Sequence, residues 1–204
     1  FAQKFAKWLS KKNITPNQIS MASVFFACLS SLCLIAIPYS SEMTQFIFPL
    51  LAAIFIQARL LCNLFDGMVA VEGAKATPSG ELYNDIPDRI ADPLIIVSTG
   101  YAITGVAWGV SLGWLCGLLA VMTAYIRTLA ASLGAPVNFA GPMAKQHRMA
   151  LLTIACVLSC VELYVWPQTY VFIAALIIMA AGSMLTVYRR TLSAYRYLES
   201  QKQC

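Results

Sequence analysis

Asp66, Glu72, Glu81, Asp85, Asp88 and Asp92 are six of the nine acidic residues in this chain, and all lie between positions 66 and 92. Around them 59% of residues are hydrophobic and 11% are charged. Carboxylates are costly in or beside a bilayer, so such a cluster reads as a functional site. Oxygen ligands gathered without histidine or cysteine suit hard cations such as Mg²⁺, Mn²⁺ or Ca²⁺. A cation held there can neutralise phosphate oxygens and clamp a displacement at phosphorus. On an α-helix Asn63, Asp66, Gly67 and Ala70 share one face, presenting an amide, a carboxylate and two small residues. Gly80, Asn84 and Asp88, spaced four apart, share another. Small residues admit a close backbone or a flat ligand. Asp88 is the candidate to take a proton from an incoming hydroxyl.

Those faces need helices to carry them. A mean hydropathy of +0.71 over 204 residues points to an all-α, polytopic membrane protein, since about 20 apolar residues span a bilayer core. Six spans are expected, near Gln18–Tyr39, Gln45–Ala70, Leu82–Thr104, Trp108–Gly134, Met149–Trp166 and Tyr170–Tyr188. Lys4, Lys7, Lys11 and Lys12 precede the first span, and Lys75 falls between the second and third. Lys145 and Arg148 fall between the fourth and fifth, and Arg189, Arg190, Arg196 and Lys202 follow the sixth. The connections near 40–44, 105–107 and 167–169 carry no Lys or Arg. This alternation predicts a multi-pass inner-membrane protein with both termini cytoplasmic and the acidic window at the cytoplasmic interface. The net charge of +5 then reports topology and contact with anionic lipid, not nucleic-acid binding.

The chain reads as one membrane domain, 1–204. Residues 1–13 alternate Phe1, Phe5, Trp8 and Leu9 with lysines, which suits an amphipathic helix lying in the interface; the alternative is the solvated start of a longer helix. Thr15 and Pro16 predict an N-cap and first helical residue. The six-helix bundle occupies 18–188, with a turn expected within 72–81, and 189–204 form a basic helical tail. No cleaved secretory signal is expected, because a basic stretch precedes the first span and five further spans follow it. The chain starts at Phe1, so residues upstream are an open expectation. The seven cysteines show no metal-type pairing, and a disulfide framework is not expected.

In register, Asn63, Asp66, Gly67, Ala70, Val71, Gly80, Asn84 and Asp88 fill every gap of the signature D-x2-D-G-x2-A-R-x8-G-x3-D-x3-D. The chain therefore resembles the CDP-alcohol phosphotransferase family over nearly its whole length, including the amphipathic start and the Thr-Pro-Asn entry to the first span. Asn63, Asn84 and Val71 depart from the signature, as in a divergent subgroup with two site charges removed. The resemblance implies transfer of a substituted phosphate from a CDP-alcohol, with CDP-diacylglycerol favoured, to an alcohol acceptor, releasing CMP. It implies Mg²⁺ or Mn²⁺, one or two ions, held by Asp66, Asp88, Asn63 and Asn84, and Asp88 as general base. Asp85 or Asp92 can supply a missing charge, or the site holds a single ion. Gly67, Ala70 and Gly80 would line the cytidine pocket. Homodimers are common in the family.

Lys145 and Arg148, entering the fifth span, are candidates for a phosphate of donor or acceptor, or are simply topology-setting charges. Arg127, near the end of the fourth span, should point inward to an acid or phosphate, and Arg59, one turn before Asn63, can approach the acids. Asp92 is the weakest candidate and can instead pair with Arg89. His147, the sole histidine, reads as an interfacial residue. Two rival readings remain open: a non-catalytic descendant binding lipid or nucleotide, and a cation transporter. The second is the poorer fit, because the acids gather at one interface.

Overall fold

Thr15 starts the first helix. Its Oγ1 accepts from the Gln18 amide at 3.3 Å while Gln18 Oε1 accepts from the Thr15 amide at 3.0 Å, a reciprocal cap that satisfies two otherwise orphaned donors. The structure, a computed structural model, describes residues 8, 12, 15–72, 80–166 and 169–201. Among these, all regular structure is helical. Six long helices follow one another: α1 (Pro16–Ala36), α2 (Ile47–Glu72), α3 (Gly80–Tyr101), α4 (Gly109–Ser132), α5 (Lys145–Val165) and α6 (Tyr170–Gln201). A short 3₁₀ turn, Ile37–Tyr39, ends α1.

α3 packs between α1 and α4; α2 lies against α1 and α5, and α6 against α4 and α5. Small residues set these approaches. Ser23, Ala27 and Ser30 are fully buried on α1, and Ser30 Oγ donates to the Ala52 carbonyl of α2 at 3.2 Å. Where α3 meets α4, a Cβ on Gly113 would lie 2.9 Å from the Gly100 Cα, so only glycine permits the contact. The apolar core runs through Ile56, Ile95, Ile96, Leu152, Phe172 and Met179.

Five helices, α1, α2, α4, α5 and α6, are long and apolar enough to cross a membrane, which makes this a multi-pass membrane protein. The expected third span differs. α3 is long enough, but Asp85, Asp88, Arg89 and Asp92 charge its N-terminal half and Pro87 and Pro93 interrupt its amides. Those charges turn toward neighbouring helices, as described below. The sixth span and the tail as far as Gln201 form one unbroken helix, α6, and α5 starts at Lys145 rather than Met149. The expected interfacial helix 1–13 and the turn within 72–81 lie outside the described residues, apart from Trp8, Lys12 and the ends of α2 and α3. Lys12 Nζ sits 6.0 Å from the Trp8 ring centroid.

Candidate functional site

The register of α3 divides its charges between two faces. Asp88 and Asp92, one turn apart, look toward α2, whereas Asp85 and Arg89 look toward α4. Asp88 is 7% exposed and Asp92 2%. Between them and α2 lies the guanidinium of Arg59, which is completely buried. Its Nη2 donates to Asp88 Oδ1 at 2.8 Å and to Asp92 Oδ1 at 2.5 Å. One turn along α2, Asn63 Nδ2 donates to the same Asp88 oxygen at 2.9 Å. Lys145, at the start of α5, donates from Nζ to the other oxygen, Oδ2. Both oxygens of Asp88 are thus engaged by cations and an amide. Among the described residues Arg59 Nε and Nη1 have no partner. A buried donor left unmatched costs about 1–3 kcal/mol, so packing alone does not account for an arginine here.

Asp66 lies deeper on α2, 4% exposed. Ser20 of α1 donates from Oγ to its Oδ2 at 2.6 Å, and the Gly67 amide donates to Oδ1 at 2.6 Å. It is near enough to Asp88 and Lys145 to feel both charges. The position where Gly67 would carry a Cβ is open, so a ligand can approach the backbone there. Ala70 and Gly80 are half-buried. Of Asn84 only the backbone, in α3, is described. Among the described residues no three of His, Cys, Asp and Glu gather as a metal site. A divalent cation at Asp66 would draw on oxygens beyond these carboxylates, and Asn63, bonded to Asp88, places an amide beside the acids.

A cavity of about 810 Å³ opens beside these residues, lined among others by Asn63, Asp85, Asp88, Arg127, Phe139 and Lys145. Arg127 points inward as expected: its Nη2 donates to Asp85 Oδ1 at 2.9 Å, and its guanidinium stacks 5.3 Å from the Phe139 ring centroid. Asp85 also accepts from Arg89 Nη2 at 2.5 Å and Nε at 3.2 Å. Asp85 therefore belongs to an arginine pair at the cavity rim and not to the acids facing α2.

Two expectations are corrected. Asp92 does not pair with Arg89; it takes Arg59 and, at 3.4 Å, Arg148 Nη2, because the three-residue step from 89 to 92 carries it onto the next face. Arg148, 2% exposed, does not share the cavity with Lys145. Its Nη1 donates to the Met143 carbonyl at 2.9 Å and to Thr123 Oγ1 at 3.2 Å, so it ties α5 to α4 and to the segment before it. Sequence reasoning missed two further residues. Ser20 belongs to a stripe of serines and alanines on α1 that only tertiary packing turns toward Asp66. Arg190, taken as a topology-setting charge, is 6% exposed and donates to the carbonyls of Thr123 (2.8 Å), Phe139 (3.2 Å) and Ala140 (3.0 Å).

The fold is that of the phosphatidylinositol phosphate synthase PgsA1 of Mycobacterium tuberculosis. Its structure with manganese and citrate superposes with a TM-score of 0.79 at 18% identity, covering 96% of this chain and 89% of that one. Its structure with CDP-DAG bound gives 0.76 at 17% identity, covering 96% and 94%. In sequence the chain is 29% identical over 141 residues to the inner membrane protein YnbA of Escherichia coli K12, an alignment covering 69% of this chain and 66%, just under two thirds, of YnbA. It is 27% identical over 151 residues to the archaetidylinositol phosphate synthase of Methanothermobacter thermautotrophicus, covering 72% and 71%. No family model matches the chain.

Proposed function

We propose that this chain is a CDP-alcohol phosphotransferase, a membrane enzyme that moves a substituted phosphate from a CDP-linked lipid such as CDP-diacylglycerol to an alcohol and releases CMP. One observation carries the reading: in a chain with the fold of a phosphatidylinositol phosphate synthase, α2 and α3, linked through Arg59 and Asn63 to Asp88, carry the eight-position register from Asn63 to Asp88 beside a cavity lined by Asp88, Arg127 and Lys145. The PgsA1 structures with CDP-DAG and with manganese support a nucleotide-linked lipid and a divalent cation as ligands. In this reading α3 is a sixth crossing, its charges shielded by α2, α4 and α5, and both termini are cytoplasmic. The chain is a divergent member, with Asn63 and Asn84 at two of the motif acids.

Each residue then has a task. Gly67, Ala70 and Gly80 admit the cytidine nucleotide against the backbone. Lys145 and Arg127, on the cavity wall, hold phosphate oxygens. A single Mg²⁺ or Mn²⁺, held by Asp66 with the amide oxygens of Asn63 and Asn84, would supply charge compensation at the phosphates when bound. The acceptor hydroxyl attacks phosphorus in line, forming the new O–P bond as the bond to CMP breaks. Its proton passes to Asp88 Oδ2, which becomes available when Lys145 turns to the incoming phosphate. Until that turn Lys145 occupies the oxygen that would receive the proton.

CMP release from CDP-diacylglycerol, CDP-choline and CDP-ethanolamine, each with a panel of alcohols and Mg²⁺ or Mn²⁺, tests the reading. Purified protein should release CMP with at least one pair, and EDTA should stop it. No release and no binding of any donor refutes it. A second reading, a non-catalytic lipid- or nucleotide-binding descendant, draws on the sealing of Asp88 by Arg59, Asn63 and Lys145. It predicts stabilisation by the donor without any dependence on cation.

A further inference from the structure

Asp88 and Asp92 carry their own counter-charges without any ion: Arg59 pairs with both, Lys145 with Asp88 and Arg148 with Asp92. Asp66, by contrast, forms no ion pair among the described residues and is held by the Ser20 hydroxyl and the Gly67 amide. A divalent ion added on the Asp88 side would leave that half of the cluster strongly positive. Burial magnifies such an imbalance, since little water reaches these groups to screen it.

The orientation of Asn63 agrees. Its nitrogen, not its oxygen, faces Asp88, sharing Oδ1 with Arg59 Nη2 at 2.9 and 2.8 Å. An aspartate at 63 would set a second carboxylate against that oxygen, an arrangement that calls for a bridging cation or a shared proton. The arginine and the amide thus belong together: each occupies ground that a metal ion and its carboxylate would otherwise hold. We propose that Arg59 is a resident cation standing in for a metal ion on Asp88, so that this site takes one divalent cation, on the Asp66 side, rather than two. The inference rests on the phosphotransferase reading for the placement of that ion.

Arg59 is fully buried and reaches Asp88 and Asp92 through one nitrogen, so a substrate cannot displace it as it can Lys145, which borders the cavity. Its charge is permanent, whereas a metal's comes and goes with supply.

The test is Mn²⁺ uptake by the purified full chain in detergent, read from loss of the free-ion EPR signal. Wild type should take up one Mn²⁺ per chain, and Arg59→Ala/Asn63→Asp, which removes the stand-in and restores a carboxylate, should take up two. Two ions or none in the wild type overturns the proposal, as does a folded double variant that takes no more than wild type. Should the double variant not fold, Asn63→Asp decides together with the wild type: with Arg59 kept it should still take up one, and two would overturn the proposal. A wild-type chain that binds one Mn²⁺ yet releases no CMP from any donor sinks the transferase reading and leaves this inference standing.

Discussion

Arg59 Nη2 and Asp88 Oδ1 stand 2.8 Å apart at the meeting of α2 and α3, with the arginine wholly out of solvent. The same nitrogen binds Asp92, so one guanidinium holds two turns of α3. Removing one partner of a buried pair leaves the other charge unmatched, at a cost of about 3–5 kcal/mol. Arg59→Ala should therefore lower the melting temperature sharply in detergent, with no substrate present. Arg59→Met/Asp88→Asn, which removes one charge of each sign, should lose less than the sum of the single changes. An additive double variant would show that the pair contributes nothing.

Ser20 reaches Asp66 from another helix, at 2.6 Å. A hydrogen bond to a charged group is worth about 1.5–3 kcal/mol. Ser20→Ala should raise the cation concentration needed for half-maximal CMP release by about tenfold or more, and Ser20→Thr should restore most of it. An unchanged cation dependence in Ser20→Ala would remove the hydroxyl from the site.

Lys145 and Arg148 sit one turn apart and should behave oppositely. Lys145 borders the cavity, whereas Arg148 is buried against Asp92, Thr123 and the Met143 carbonyl. Lys145→Ala should cut CMP release by tenfold or more, a loss of about 1.4 kcal/mol in transition-state stabilisation at the least, with a modest change in melting temperature. Arg148→Ala should instead lower the melting temperature by several degrees, with loss of activity tracking loss of folded protein. Equal melting shifts for the two would contradict the assigned roles.

Gly141 has φ of 137°, and a Cβ there would collide with the Thr186 side chain of α6. Gly141→Ala should destabilise the fold by about 1–3 kcal/mol through backbone strain, with the clash added to it. Thermal melting reads the loss. A variant as stable as wild type would mean that the segment before α5 can move off α6.

Much of this was legible in the order of residues. Apolar runs marked the helices within a few positions, and the fixed gaps from Asn63 to Asp88 marked two residues that the fold brings together. Arg127 lay where an inward partner was expected and found Asp85. What one chain cannot express is how α2 and α3 rotate against each other. Whether Asp92 meets Arg89 or Arg59 turns on that rotation, and local spacing pointed to Arg89. Arg148 misled for a related reason. It is one turn from Lys145 on the same helix, yet α3 and α4 close over one and leave the other beside the cavity. Ser20 offered only a small-residue stripe, a pattern that packing alone would also produce.

α6 has a reach beyond its own length. Thr186 Oγ1 accepts from the Met143 amide at 3.1 Å, and Arg190 grips the Phe139 and Ala140 carbonyls. The short stretch that delivers Lys145 is therefore bolted to a helix some forty residues further down the chain. A protein cut before Thr186 would keep every acid of the site and lose the fastening that holds the lysine over them. Late-synthesised sequence thus completes a pocket whose acids were laid down long before.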